Sequence, residues 1–184
     1  MERALALQTQ LGPVFDVTCD CEDGARRGEE AEQVRLILEI LLSPTNLFSR
    51  VGVRIHDVCS GFWEMELREF LHEAGGVLPY ITLPKARGVD DVKRVLGVLQ
   101  DEASHAGLKT VPRLHVLIET PGALREVWQI AALRGIEALD FGLMDFVSAH
   151  LGAISSENMK SPGQFTHPLL VRAKTEVASA ALAH

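Results

Sequence analysis

A chain of 184 residues, 47% apolar and 23% charged, has the material for one domain with a sizeable core. A net charge of −7, with neither a basic patch nor an aromatic platform, argues against nucleic acid as a partner. No apolar run is long enough for a bilayer and no signal-peptide pattern opens the chain, so no membrane partner is expected and the cytoplasm is the expected compartment.

The elements alternate along the chain. Residues 1–7 read as a helix, and residues 14–19 as a short strand running into the acidic cluster Asp20, Glu22 and Asp23. Residues 29–42 carry Val34, Ile37, Leu38 and Leu41 at helical spacing until Ser43-Pro44 breaks the pattern. A strand is expected at 51–56, a helix at 62–72, and a brief strand at 80–83 stopped by Pro84-Lys85. Residues 89–105 form a long amphipathic helix with Val92, Val95, Leu96 and Leu99 on one face, and Gly107 ends it. The apolar run 113–118 leads into Glu119, a helix comes next at 123–133, and the run 138–141 leads into Gly142 and Asp145. Polar residues 155–166 read as a surface loop before a final helix at 169–183.

Five strands separated by helices imply βαβ units and a parallel sheet, with apolar strands covered on both faces. Neither a Gly-rich dinucleotide fingerprint nor a P-loop succeeds any strand. Cys19, Cys21 and Cys59 lack the partners that a structural zinc would need, and the Cys-x-Cys pair reads as small core residues.

Every strand runs out into ionisable residues: the Asp20/Glu22/Asp23 cluster, then Arg54, Lys85, Glu119 and Asp145. Parallel sheets hold ligands at this carboxyl edge, and two carboxylates suit a hard divalent ion such as Mg²⁺. Plainer roles stand beside these. Glu119 would suit the start of the next helix, Asp145 would suit the surface, and Arg54 would suit an ion pair with Asp20 or Asp23. Lys85 is compatible with simple turn placement, Glu22 and Asp23 with orienting Arg54 or ending a strand, His56 and Asp57 with a structural role, and His115 with the core.

The set of motifs resembles the HpcH/HpaI aldolase and citrate lyase beta-subunit family, the CitE-like lyases. Asp20-Cys21-Glu22-Asp23 is similar to that family's Asp-Leu-Glu-Asp segment, and Val53-Arg54-Ile55-His56 to its Val-Arg-Val-Asn strand. Pro84-Lys85, Ile118-Glu119-Thr120 and Phe141-Gly142-Leu143-Met144-Asp145 match its Pro-Lys, Ile-Glu-Thr and Phe-Gly-x-x-Asp segments in family order.

The resemblance implies an α/β fold of the (β/α)₈ barrel type, with Mg²⁺ held by Glu119 and Asp145. It implies that Arg54 pairs with a keto-acid carboxylate, supported by Asp20, Glu22 and Asp23. Lys85 belongs to the implied catalytic set, and amides near Gly142, or at the helix start after Pro121-Gly122, are implied donors to the developing enolate. The implied activity is Mg²⁺-dependent carbon–carbon cleavage of a short 3-hydroxyacyl-CoA, such as malyl-CoA or citryl-CoA. Acyl-CoA and keto acid are the implied substrates, and a homo-oligomer is expected. A class II aldolase on a free hydroxy keto acid, a malyl-CoA thioesterase and a non-catalytic ligand-binding homologue are the alternatives. His56 stands where the family has Asn. With five countable strands, the expectation over residues 1–184 is a single partial barrel domain lacking the first and last strands.

Overall fold

Five strands form, each leading into a helix, and their order in the sheet is β1-β2-β3-β4-β5. The computed structural model describes all 184 residues. They group into two units, residues 1–82 with 96–113 and residues 83–95 with 114–184. No helix is long and apolar enough to cross a membrane.

The first unit contains α1 (Glu2–Leu11), β1 (Val17–Asp20), α2 (Glu30–Leu41), β2 (Val51–Arg54) and α3 (Trp63–Ala74). It also holds most of β3 (Tyr80–Leu83) and the later turns of α4 (Val89–His105). β1 runs parallel to β2 in a register that ends at Asp20 opposite Arg54, and β2 runs parallel to β3. The consecutive residues Val51, Gly52 and Val53 are all buried, as a parallel strand covered on both faces requires. Gly52 is a place where only glycine fits, because a Cβ there would collide with the Tyr80 ring. That ring passes over β2 and carries its hydroxyl to Thr18 Oγ1, 2.8 Å away, tying three strands together. α2 buries Val34, Ile37 and Leu41, and α3 buries Trp63, Leu67, Phe70 and Leu71; the two helices pack on each other. β1 begins three residues later than the apolar run suggests. Val14 is exposed, and ladder pairing starts only where Val17 N–H reaches the Arg50 carbonyl.

The second unit contains β4 (Arg113–Ile118), α5 (Pro121–Arg125), α6 (Val127–Ala131), β5 (Ile136–Phe141), α7 (Leu143–Ala149), α8 (Gly163–Thr166) and α9 (Pro168–Ala183). β4 and β5 are parallel, with register shifting after Leu114 and closing at Ile118 opposite Phe141. Coverage on both faces does not extend here. β4 alternates, with Leu114, Val116 and Ile118 buried and His115 and Leu117 only partly so, and no residue of β5 is fully buried. His115 is therefore not a core residue; its Nε2 lies 2.9 Å from Glu137 on the neighbouring strand. α9 places Leu170, Ala173, Val177 and Ala180 on one stripe and packs against β5 and α6.

Three further expectations change. The helix over 123–133 is two short helices broken at Glu126, whose Oε2 accepts the Val89 N–H at 2.9 Å. The polar stretch 155–166 carries a 3₁₀ turn (Ser156–Met159) and α8. Asp145 does not end a strand: β5 stops at Phe141, Gly142 turns the chain out, and Asp145 sits in the first turn of α7.

Candidate functional site

At the end of β1 and β2, register alone puts Asp20 beside Arg54. Arg54 Nε donates to Asp20 Oδ1 at 2.7 Å and Nη2 donates to Oδ2, the forked arrangement that suits guanidinium and carboxylate. The N–H groups of Glu22 and Gly24 add bonds of 3.0 and 2.8 Å to the same two oxygens. A Cβ at Gly24 would fall 2.5 Å from Asp20 Oδ2, so the turn is fitted to that carboxylate. Burial pushes the Asp20 carboxyl up, but the Arg54 guanidinium and the two amides outweigh it and hold it below the usual carboxylate range. Glu22, almost wholly buried, lies 3.4 Å from Arg54 Nη1. Asp23 is exposed and adds its charge to the Arg54 environment from a distance. Together these acids push the Arg54 pKa above its ordinary value, chiefly through the Asp20 hydrogen bond.

Cys19 and Cys21 are buried beside this cluster. Burial pushes the Cys19 thiol up to about 11 and Cys21 further, so neither supplies a thiolate at neutral pH.

In the second unit, the register that ends at Ile118 opposite Phe141 sets Glu119 across from Gly142. Glu119 is 2% exposed. A Cβ at Gly142 would come within 2.7 Å of Glu119 Cβ and closer still to Oε2. Gly142 is needed for this close approach. Its amide is engaged with the Ile118 carbonyl at 3.3 Å.

Glu119 does not cap the next helix. Thr120 does, accepting the Ala123 N–H at 3.0 Å, while Glu119 Oε1 accepts the Lys85 backbone N–H at 2.7 Å. Lys85 adopts a left-handed φ of 49°, a conformation that costs a non-glycine residue about 1 kcal/mol. Thr120 Oγ1 also donates to the Ala86 carbonyl at 2.6 Å. Three side chains beyond β4, those of Glu119, Thr120 and Glu126, thus hold the turn beyond β3.

Asp145, in the first turn of α7 three residues past Gly142, is partly exposed. Its carboxylate is engaged by no hydrogen bond or ion pair. Nowhere do three or more His, Cys, Asp or Glu side chains gather in a metal-binding arrangement. The carboxylates past β4 and β5 are those of Glu119 and Asp145, oxygen donors of the hard kind that Mg²⁺ takes.

The structure brings Asp20, Glu22 and Arg54 together in one cluster, and Lys85, Glu119 and Gly142 in another. Glu66 was missed by sequence reasoning. Its signal was an acid on the apolar stripe of α3, between Trp63 and Phe70.

No family model matches the chain. An L-malyl-CoA/beta-methylmalyl-CoA lyase of Cereibacter sphaeroides (strain ATCC 17025 / ATH 2.4.3) is 25% identical over 134 residues, 72% of this chain and 42% of that protein. A citrate lyase of Burkholderia xenovorans LB400 is 49% identical with a TM-score of 0.96, covering 100% of this chain and 57% of that one. A citrate lyase beta subunit of M. tuberculosis, solved with oxaloacetate and magnesium, shares the fold at 19% identity and a TM-score of 0.72, covering 99% of this chain and 70% of that one. The fold is an α/β fold like that of these citrate lyase neighbours. The chain is similar to these citrate lyase and malyl-CoA lyase proteins, and it spans about half the length of the first two.

Proposed function

We propose that this chain carries the Mg²⁺ and keto-acid sites of a carbon–carbon lyase. The substrate is a short 3-hydroxyacyl-CoA such as malyl-CoA or citryl-CoA, cleaved to an acyl-CoA and a keto acid. The observation that carries the reading is the buried carboxylate of Glu119 fitted against Gly142, with Asp145, its carboxylate disengaged, three residues past Gly142 in α7. Glu119 and Asp145 are the proposed metal ligands; when bound, the ion polarises the substrate's oxygen and offsets negative charge on the cleaved product. The Lys85 amide fixes one Glu119 oxygen.

Arg54 is the proposed carboxylate anchor. Asp20 takes two of its five N–H donors and Nη1 lies 3.4 Å from Glu22; the donors that remain are the proposed contact for a substrate carboxylate. Asp20, Glu22 and Asp23 hold that guanidinium charged and oriented. The malyl-CoA lyase relative supports the CoA-ester class, and the citrate lyase neighbours solved with magnesium and small keto acids support the ion and the second product. Self-association and a cytoplasmic location complete the reading.

Incubating the purified chain with malyl-CoA and Mg²⁺ tests it. Acyl-CoA and keto acid should appear, and EDTA should abolish both. Free CoA with intact malate would instead mean a thioesterase, and cleavage only of a free hydroxy keto acid would mean a class II aldolase. Keto-acid binding without any product would mean a non-catalytic homologue.

A further inference from the structure

The chain breaks a helix where nothing in its sequence calls for a break. From Ala123 to Leu133 no glycine or proline interrupts the helical pattern, and glutamate is a good helix former. Yet Glu126 sits at φ −111° and ψ 17°, which ends α5 and starts α6. A local rule that fails at one residue points to a demand from elsewhere in the fold. The Glu126 carboxylate shows what that demand is.

Glu126 Oε2 accepts the N–H of Val89, the first residue of α4, at 2.9 Å. An acid at that helix start also meets the positive end of the helix dipole. Gly88 gives the carboxylate its room, since a Cβ there would lie 2.5 Å from Oε2. Three further contacts join the turn beyond β3 to the chain beyond β4, all within the second unit. Glu119 Oε1 accepts the Lys85 N–H at 2.7 Å, and Thr120 Oγ1 donates to the Ala86 carbonyl at 2.6 Å. The Arg87 carbonyl lies against Gly122, where a Cβ would fall 2.1 Å from its oxygen. The turn from Lys85 to Val89 is thus fastened along its length, with Glu119 at one end and Glu126 at the other.

Lys85 needs that fastening. Its φ of 49° is left-handed, and strained backbone of this kind persists only where its surroundings hold it. Its amide is the group that fixes Glu119 Oε1. Loosening the far end of the turn lets Lys85 relax, and the amide moves with it. Arg125 is the other group on Glu126, with Nη2 2.6 Å from Oε1. Its side chain is 75% exposed, and an ion pair so open to water adds little.

We infer that Glu126 is a positioning residue for the proposed metal ligand Glu119, acting through the Lys85–Val89 turn; this rests on the lyase reading and its metal site. Glu126 seats Val89 and with it the turn. The turn presents the Lys85 amide, and that amide keeps one Glu119 oxygen in place.

Calorimetric titration with Mg²⁺ tests this on the full chain, comparing wild type with Glu126→Ala, Glu126→Gln, Gly88→Ala and Arg125→Ala. Glu126→Ala should weaken Mg²⁺ binding about tenfold, the lower end of what losing a group that orients a metal ligand costs. Glu126→Gln keeps an oxygen for the Val89 N–H and should bind within about threefold of wild type, the bond being weaker without its charge. Gly88→Ala should push the carboxylate off Val89 from the opposite side and weaken Mg²⁺ as Glu126→Ala does. It carries the test alone where Glu126→Ala fails to fold. Arg125→Ala should match wild type. Amide hydrogen exchange at Lys85, measured without metal, should quicken in Glu126→Ala and Gly88→Ala. A role in stability alone would lower the urea midpoint and leave Mg²⁺ affinity and Lys85 exchange unchanged. That result in the folded variants, with a wild type that binds Mg²⁺, overturns this inference alone. A wild type that binds no Mg²⁺ overturns the metal site, and this inference with it.

Discussion

Two pairs of adjacent strands end in register, and they use the position differently. At the ends of β1 and β2 the facing residues are Asp20 and Arg54, and the acid is met by a guanidinium fork and two amides. Just past β4 and β5 the facing residues are Glu119 and Gly142, so the acid is met by a missing side chain. The first arrangement fixes a cation whose charge is set by its neighbours. The second packs a buried carboxylate into the space that a side chain at position 142 would take. On the proposed function, the same topology would serve as an anchor for a substrate carboxylate in one place and as a seat for a metal in the other.

If the close approach of Glu119 to Gly142 matters, a side chain at position 142 should have the largest effect. Gly142→Ala should lower lyase turnover by at least about 100-fold, since misplacement of a reacting group by about 1 Å costs that much. Steady-state kinetics with malyl-CoA would show it, and unchanged kcat would remove the distinction between the two strand ends. Breaking the fork comes next. Arg54→Ala leaves Asp20 partly buried without its cation and should cost about 2 kcal/mol of stability, less than for a fully buried pair; urea unfolding reads it. Thr120→Ala removes a helix cap and the bond to Ala86, and should lower stability by about 1 kcal/mol.

The smallest effect is on acid stability. The Asp20 carboxyl is held below its unfolded value, so the folded state binds fewer protons there. Its contribution is full above the ordinary carboxylate range and is lost as pH falls through the depressed value. Asp20→Asn should flatten the fall in stability in that acid window. Glu66 is shifted the opposite way by burial, so its contribution declines as pH rises above the ordinary carboxylate range. Glu66→Gln should remove that decline, and urea midpoints across pH measure both slopes.

The strand-end acids were legible because an apolar run leading into a charged residue marks the edge of a parallel sheet. The helix faces of α2 and α3 were legible from their 3.6-residue period. The features that stayed hidden depend on pairing. That Glu119 faces Gly142 is set by strand register, which no local pattern encodes, and that Lys85 contributes a backbone amide is set by a left-handed turn at a residue that does not favour one. Asp145 moved from a strand end into α7 because the apolar residues after Gly142 suit either a strand or a short helix. Glu66 escaped notice because its burial depends on contact with a loop ten residues upstream.

Calorimetric titration with Mg²⁺ tests the central claim most directly, comparing the wild-type chain with Glu119→Gln and Asp145→Asn. One ion per chain should bind the wild type, and each substitution should weaken it at least about tenfold. Equal Mg²⁺ affinity in all three proteins would contradict the account.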